Sequence, residues 1–216
     1  MYGKIPFWRA EVGRLTLFIG DIEFEDYRLS LDEFSRVKEV GKLDDGTLIP
    51  FKQIPCLVVD GVSIAQTGGI ARFCGKLAGL YPKDDDLNGA LIDQFIDLST
   101  DINVMISHTG RIKNEVKKLN TRKDLAYGAL YNKIYLLESC ISNNSDHLVG
   151  ARLTIADLAI WRLLGWVSSG ILDGIPTTIL ADFPRVRRVC ITVDQLPKVQ
   201  KWIHKTFPEN YNRGTY

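Results

Sequence analysis

The chain has 216 residues, enough for one large domain or two small ones, and at 45% hydrophobic and 25% charged it has the composition of a globular protein with a buried core. A formal net charge of +1 excludes the strong field that draws nucleic acid or an anionic membrane, so the lysines and arginines read as a solvated surface. The four cysteines are scattered without a Cys-x-x-Cys pair, which fits reduced thiols in the cytoplasm, and the three histidines lack metal-ligand spacing, so no metal is expected.

Residues 1–8, MYGKIPFW, read as a loop around Gly3 and Pro6, and Lys4 is followed by no apolar run of the length a secretory leader needs. Arg9 to Ile19 carries Val12, Leu15, Leu17, Phe18 and Ile19, the pattern of a short helix. Phe24 to Leu29 alternates as a strand does. Ser30-x-x-Glu33 is a capping box that opens a short helix through Phe34 and Val37. Residues 41–51, GKLDDGTLIPF, are rich in turn formers and read as a surface loop.

The stretch from Gln53 to Arg72, QIPCLVVDGVSIAQTGGIAR, organises the rest. Leu57 to Val59 and Val62 to Ala65 are two short strands about the tight turn Asp60-Gly61. Gln66-Thr67-Gly68-Gly69 then leads into Ile70, Ala71 and Phe73 at helical spacing. Pro55 belongs at the first residue of its strand, because it cannot donate a ladder hydrogen bond. X-Pro is also the one bond at which a cis peptide is cheap, and a cis Ile54-Pro55 bond turns the Ile54 N–H and C=O outward, free to hold an extended peptide. Gln66-Thr67 at a helix N-terminus favours a carboxylate. An edge that holds peptide backbone beside a carboxylate hole suits a small acidic peptide. A plain helix cap is the other reading of Gln66-Thr67, since Thr is a good N-cap.

Tyr81 to Asp86 is a linker of Pro and a charge run. From Asn88 the pattern is helical to the end. Leu91, Ile92, Phe95, Ile96, Ser99, Ile102, Met105 and Ile106 form one stripe, and Ala126, Leu130, Ile134, Leu137 and Ile141 another. Thr154-x-x-Asp157 is a second capping box at the head of the most hydrophobic segment, Leu153 to Val167. That segment is interrupted by Asp157 and Arg162 and is shorter than the roughly 20 residues of a membrane span, so it reads as a buried core helix. Pro197 to Phe207 is a further helix with Val199, Trp202 and Ile203 inward.

Ile54-Pro55, the Val59-Asp60-Gly61 hairpin and Gln66-Thr67-x-x-Ile70-x-Arg72-Phe73 resemble the end of a glutathione transferase N-terminal domain. Arg9-Ala10-Glu11-x-x-Arg14-Leu15 and Phe24-Glu25-Asp26-x-Arg28 resemble the first helix and second strand of its sigma-like branch, and the resemblance runs over nearly the whole chain. It implies an α+β fold, with a thioredoxin-like glutathione-binding domain over residues 1–81 and an all-α helical domain over residues 88–216. A thioredoxin-like domain opens with one more strand, running into the loop before Arg9. The chain leaves little room for it, so a shortened or missing first strand is expected.

The resemblance also implies the site. Glutathione is the co-substrate, and small hydrophobic electrophiles are the second substrate. Arg9 matches an arginine beside the sulfur, Phe34 stands where the pattern has Trp, and Lys38 matches the lysine of the glycyl carboxylate. Gln53 precedes the Ile54-Pro55 pair at a position where the family often has Lys. Gln66 and Thr67 match the pair that holds the γ-glutamyl carboxylate, and Asp101 an acid that reaches the partner's ligand across a homodimer. For Arg9 and Asp101 a surface ion pair is the other reading. Met105 and His108 fall where the second-substrate pocket lies, although Met105 also suits the helical core.

A thiol ionises little at neutral pH, and a hydroxyl hydrogen bond to the sulfur favours its charged form. Tyr2 is the one hydroxyl residue of the N-terminal loop and hence the candidate thiol activator there. It lies eight residues before Ala10, where the sigma-like tyrosine lies seven before the corresponding Ala, and a terminal aromatic without a role is the other reading. Three functions fit this sequence: a cytoplasmic transferase, a glutathione-dependent isomerase of the prostaglandin type, and a non-catalytic ligand-binding or structural protein on the same fold.

Overall fold

The computed structural model describes residues 8–207 and residue 216. Tyr2 lies outside the described residues.

Helix α1 (Glu11–Ile19) buries Val12, Leu15 and Leu17. It lies close to α3 (Thr67–Ala78), where a Cβ on Gly13 would meet the Ile70 side chain at 3.0 Å. Helix α2 (Leu31–Val40) starts on a complete capping box, in which the Ser30 hydroxyl accepts from the Glu33 N–H and Glu33 accepts from the Ser30 N–H. It ends at Gly41 in the left-handed conformation, with φ 77°. Residues 41–51 form the expected loop, tied by one bridge between Lys42 and Leu48 and ending in a 3-10 turn over Pro50–Lys52.

Strands β1 (Cys56–Val59) and β2 (Val62–Ala65) pair antiparallel, Cys56 opposite Ala65 and Val59 opposite Val62. Asp60 and Gly61 both have positive φ, 50° and 78°, the conformation of a type I′ turn whose twist matches the strands it joins. They form a two-stranded sheet among the described residues.

Residues 22–28 alternate in burial, as the sequence pattern suggests. Side chains pin the segment: Asp26 accepts from Arg14 at 2.6 Å and from Arg28 at 2.7 Å.

The helical part begins at α4 (Asp86–Thr109), and Asp85 of the linker caps it by accepting from the Asn88 N–H. The second apolar stripe is buried from Ala126 to Ile141, but two helices carry it, α5 (Glu115–Tyr127) and α6 (Ala129–Cys140), broken at Gly128. Helix α7 (Ile155–Val167) is buried along its whole length. Around it lie α4, α1 and α8 (Pro184–Asp194), and α9 (Pro197–Thr206) closes on α1. The indole of Trp202 on α9 donates to Glu11, and Lys198 donates to the Ile19 carbonyl at 2.7 Å. Helix α1 is thus held by α3 on one side and by α7 and α9 on the other, which fixes the residues before it against the helical part.

Candidate active site

Arg9, Gln53, Ile54, Pro55, Ala65, Gln66 and Thr67 line one narrow cleft. Each wall has a local cause. Ile54-Pro55 is cis, and Gln53 before it is extended, with φ −133° and ψ 148°. Among the described residues no backbone hydrogen bond uses the Ile54 N–H or C=O. The edge of the hairpin is therefore open to an extended chain that supplies both a donor and an acceptor.

Gln66 lies at the opposite wall with φ 70° and ψ 129°, a region that non-glycine residues rarely occupy. Such a conformation costs on the order of 1–3 kcal/mol and is retained where the surroundings over-determine it. Gln66 makes no side-chain cap bond to α3, and Thr67 is the first residue of that helix, so the helix-cap reading of the pair is corrected. The first helical bond is Ile70 N–H to the Gln66 carbonyl, which leaves the N–H groups of Thr67, Gly68 and Gly69 without helical partners. They carry the positive end of the helix dipole.

Among the described residues that line this cleft, Arg9 carries the one full charge. Its Nε donates to Asn103 Oδ1 of α4 at 2.8 Å, and among the described residues no carboxylate pairs with it, which corrects the surface ion-pair reading. Burial lowers its pKa from the usual value. The arrangement offers an exposed peptide edge, a carboxylate-sized set of N–H groups and a fixed cation. Among the described residues that line the cleft none is a thiol. Cys56 follows Pro55 but does not line the cleft, and burial raises its pKa. Burial likewise pushes the Cys74 thiol up to about 11 and raises Cys190.

The remaining predicted residues stand apart from the cleft. Phe34 is buried in a small cluster with Leu29, Val37 and Ile49, and Ile54 packs against that cluster. Phe34 therefore supports the wall from behind, and Lys38 Nζ covers its ring at 4.5 Å. Asp101 is exposed on α4 and pairs with Lys133 of α6 at 3.1 Å, so within one chain it is a surface ion pair. Met105 is half-buried against the main core, and His108 is exposed one turn further along α4. A wider recess beside α8, lined by Arg187, Arg188 and Asp146 among others, contains none of these residues. Its arginines already donate to the Ser142, Ser145 and Tyr216 carbonyls.

Sequence reasoning missed Asn103, the residue that holds Arg9. The signal was a polar side chain one turn from Ser99 on the apolar stripe of α4. Ser99 in turn accepts from Arg162 of α7 at 3.0 Å.

Residues 100–206 match the family model for the glutathione S-transferase C-terminal domain. Glutathione S-transferase 2 of Caenorhabditis elegans is 30% identical over 155 residues, 70% of this chain and 78% of the relative. Glutathione S-transferase A3 of Homo sapiens is 27% identical over 206 residues, 93% of this chain and 85% of the relative. Among solved structures, prostaglandin synthase D of Nilaparvata lugens superimposes with a TM-score of 0.77 at 26% identity, covering 91% of this chain and 92% of the other. Monomeric Na-GST-3, a glutathione S-transferase of the hookworm Necator americanus, gives 0.71 at 27% identity, covering 94% of each chain.

Proposed function

The chain belongs to the glutathione S-transferase family, and on that premise we propose that the cleft between Ile54-Pro55 and Gln66-Thr67 holds glutathione for transfer to small hydrophobic electrophiles. The protein is a glutathione transferase, with glutathione as co-substrate. The observation that carries the placement is the meeting, in one cleft, of an Ile54 edge, a helix start at Thr67 and a cation that, among the described residues, have no backbone partner, no side-chain cap and no carboxylate respectively.

In this reading the Ile54 N–H and C=O pair with the cysteinyl backbone of glutathione, beside Gln53 and Pro55. Gln66 and the first turn of α3 take the γ-glutamyl carboxylate. Lys38, exposed at the end of α2, takes the glycyl carboxylate, and Phe34 supports that side from below. Arg9 stands beside the sulfur. The Tyr2 hydroxyl donates a hydrogen bond to the thiolate, and the thiol proton leaves to solvent. Lowering the thiol pKa by two units takes about 2.7 kcal/mol of differential stabilisation. The thiolate then forms a carbon–sulfur bond to the electrophile, whose leaving group departs with the bonding pair. Met105 and His108 form the wall of the second-substrate pocket.

The remaining parts of the reading are a sigma-like branch, a cytoplasmic location and two domains, 1–81 and 88–216. A two-fold dimer completes it, in which Asp101 exchanges Lys133 for the partner's ligand. Sedimentation of a monomer at micromolar concentration would remove the dimer, and one similar structure is described as monomeric. A second reading, a glutathione-dependent isomerase that returns its thiol unchanged, is favoured by the likeness to prostaglandin synthase D.

Conjugation of glutathione to a model electrophile, with Tyr2→Phe alongside, tests the catalytic part. The variant should still bind glutathione but turn over more slowly at pH 7 than at pH 9, relative to the unaltered protein, because at high pH the thiol ionises unaided. Equal rates at both pH values would remove Tyr2 from the mechanism. Absence of conjugation by the unaltered protein, together with isomerase turnover, would favour the second reading.

A further inference from the structure

Two guanidinium groups meet the same face of α4 behind the cleft. Asn103 Oδ1 accepts from Arg9 Nε at 2.8 Å, and Ser99 Oγ, one helical turn earlier, accepts from Arg162 Nη2 at 3.0 Å. Both acceptors are neutral and both are buried, Asn103 at 1% and Ser99 at 3% exposure. Arg162 is itself 2% exposed, and among the described residues its Nε and Nη1 have no hydrogen-bond partner, nor does Asn103 Nδ2. A buried cation ordinarily recruits a carboxylate, since leaving it unpaired is expensive. The carboxylate whose charge acts on Arg162 is Glu11 of α1, which is committed to the Trp202 indole of α9 and lies 3.8 Å from Arg14. Burial is the main cause that raises the Glu11 pKa, so it is a weak counter-ion. On Arg162, burial and then repulsion from Arg9 bring the pKa down to about 9, and Glu11 opposes them.

We infer that Asn103 is a positioning residue, which fixes Arg9 at the cleft through a neutral acceptor and so leaves the arginine charge free to act on the bound sulfur. The inference rests on the reading that the cleft holds glutathione with its sulfur beside Arg9. A carboxylate at position 103 would hold Arg9 equally well in space, but would cancel its field. A neutral amide gives the position without the cancellation. The buried Arg162, held by Ser99 in the same neutral way, adds a second positive charge behind the first.

The test uses the full chain, Asn103→Asp and Asn103→Ala, each saturated with glutathione. Thiolate absorbance against pH is read as the difference between the glutathione and S-methylglutathione complexes, which removes the protein's own cysteines. Asn103→Asp keeps shape and acceptor and adds a charge beside two cations, so its melting midpoint should match or exceed that of the unaltered chain. Its bound thiol pKa should nevertheless rise by about one unit, with glutathione affinity within about twofold. Asn103→Ala releases Arg9 and should raise the thiol pKa as well. A residue that merely filled space would leave the thiol pKa unmoved in the Asp variant. An unchanged thiol pKa in Asn103→Asp overturns the inference. Failure of the unaltered chain to bind glutathione would instead remove the reading beneath it.

Discussion

Helix α7 carries two buried ionisable side chains that the fold treats in opposite ways. Asp157, in its first turn, is fully buried and saturated: it accepts from the Leu148 N–H at 2.7 Å, the Thr154 N–H at 2.7 Å and the Thr154 hydroxyl at 3.0 Å. His147 lies 3.7 Å away, and that carboxylate is the main cause raising the histidine pKa, with partial burial opposing it. Arg162, further along the same helix, has among the described residues one neutral acceptor and two guanidinium nitrogens without partners. The first group joins the loop before α7 to the helix start, and the fold depends on it. The second faces the elements that carry Arg9. A satisfied buried charge organises structure; an unsatisfied one is retained for what its field does, at some cost to stability.

Substitutions that remove each charge should therefore have opposite signatures. Asp157→Ala strands two N–H groups and a hydroxyl in a partly buried place, and should destabilise the protein by about 3 kcal/mol. Denaturant midpoints measure this, and the thiol pKa of bound glutathione should not change. Arg162→Met replaces an incompletely paired cation by an apolar side chain of similar length. Its stability should lie within about 1 kcal/mol of the unaltered protein, or above it. Its bound thiol pKa should rise, by less than in Asn103→Asp, because Arg162 stands behind Arg9. Loss of several kcal/mol in Arg162→Met would make Arg162 a second structural anchor and erase the contrast along α7.

The local parts of this architecture were legible in the sequence, because each is specified by neighbouring residues. Both capping boxes and the Asp60-Gly61 turn lie where the pattern places them. The alternation read over residues 24–28 is present in the burial as well. Two helices carry the stripe from Ala126 to Ile141, because burial continues across Gly128 while the helical backbone does not. Helix α8 was not singled out, although Pro184 at its start and Val186, Val189, Cys190 and Val193 at helical spacing marked it. Arg9, Gln53, Ile54, Pro55, Gln66 and Thr67 line one cleft, drawn from three separate stretches of the chain. The pairing of Asp101 with Lys133 and of Arg9 with Asn103 joins residues far apart in the chain, and no spacing rule encodes either.

Glutathione binding by the unaltered protein, with Gln66→Ala beside it, tests the site most directly. Thermal unfolding is followed as glutathione is added into the millimolar range. The unaltered protein should gain about 2.7 kcal/mol at a ligand concentration near 100 times its dissociation constant. Gln66→Ala removes one partner of the bound carboxylate and should need more glutathione for the same shift. A melting temperature that stays constant in the unaltered protein would contradict the glutathione site at this cleft.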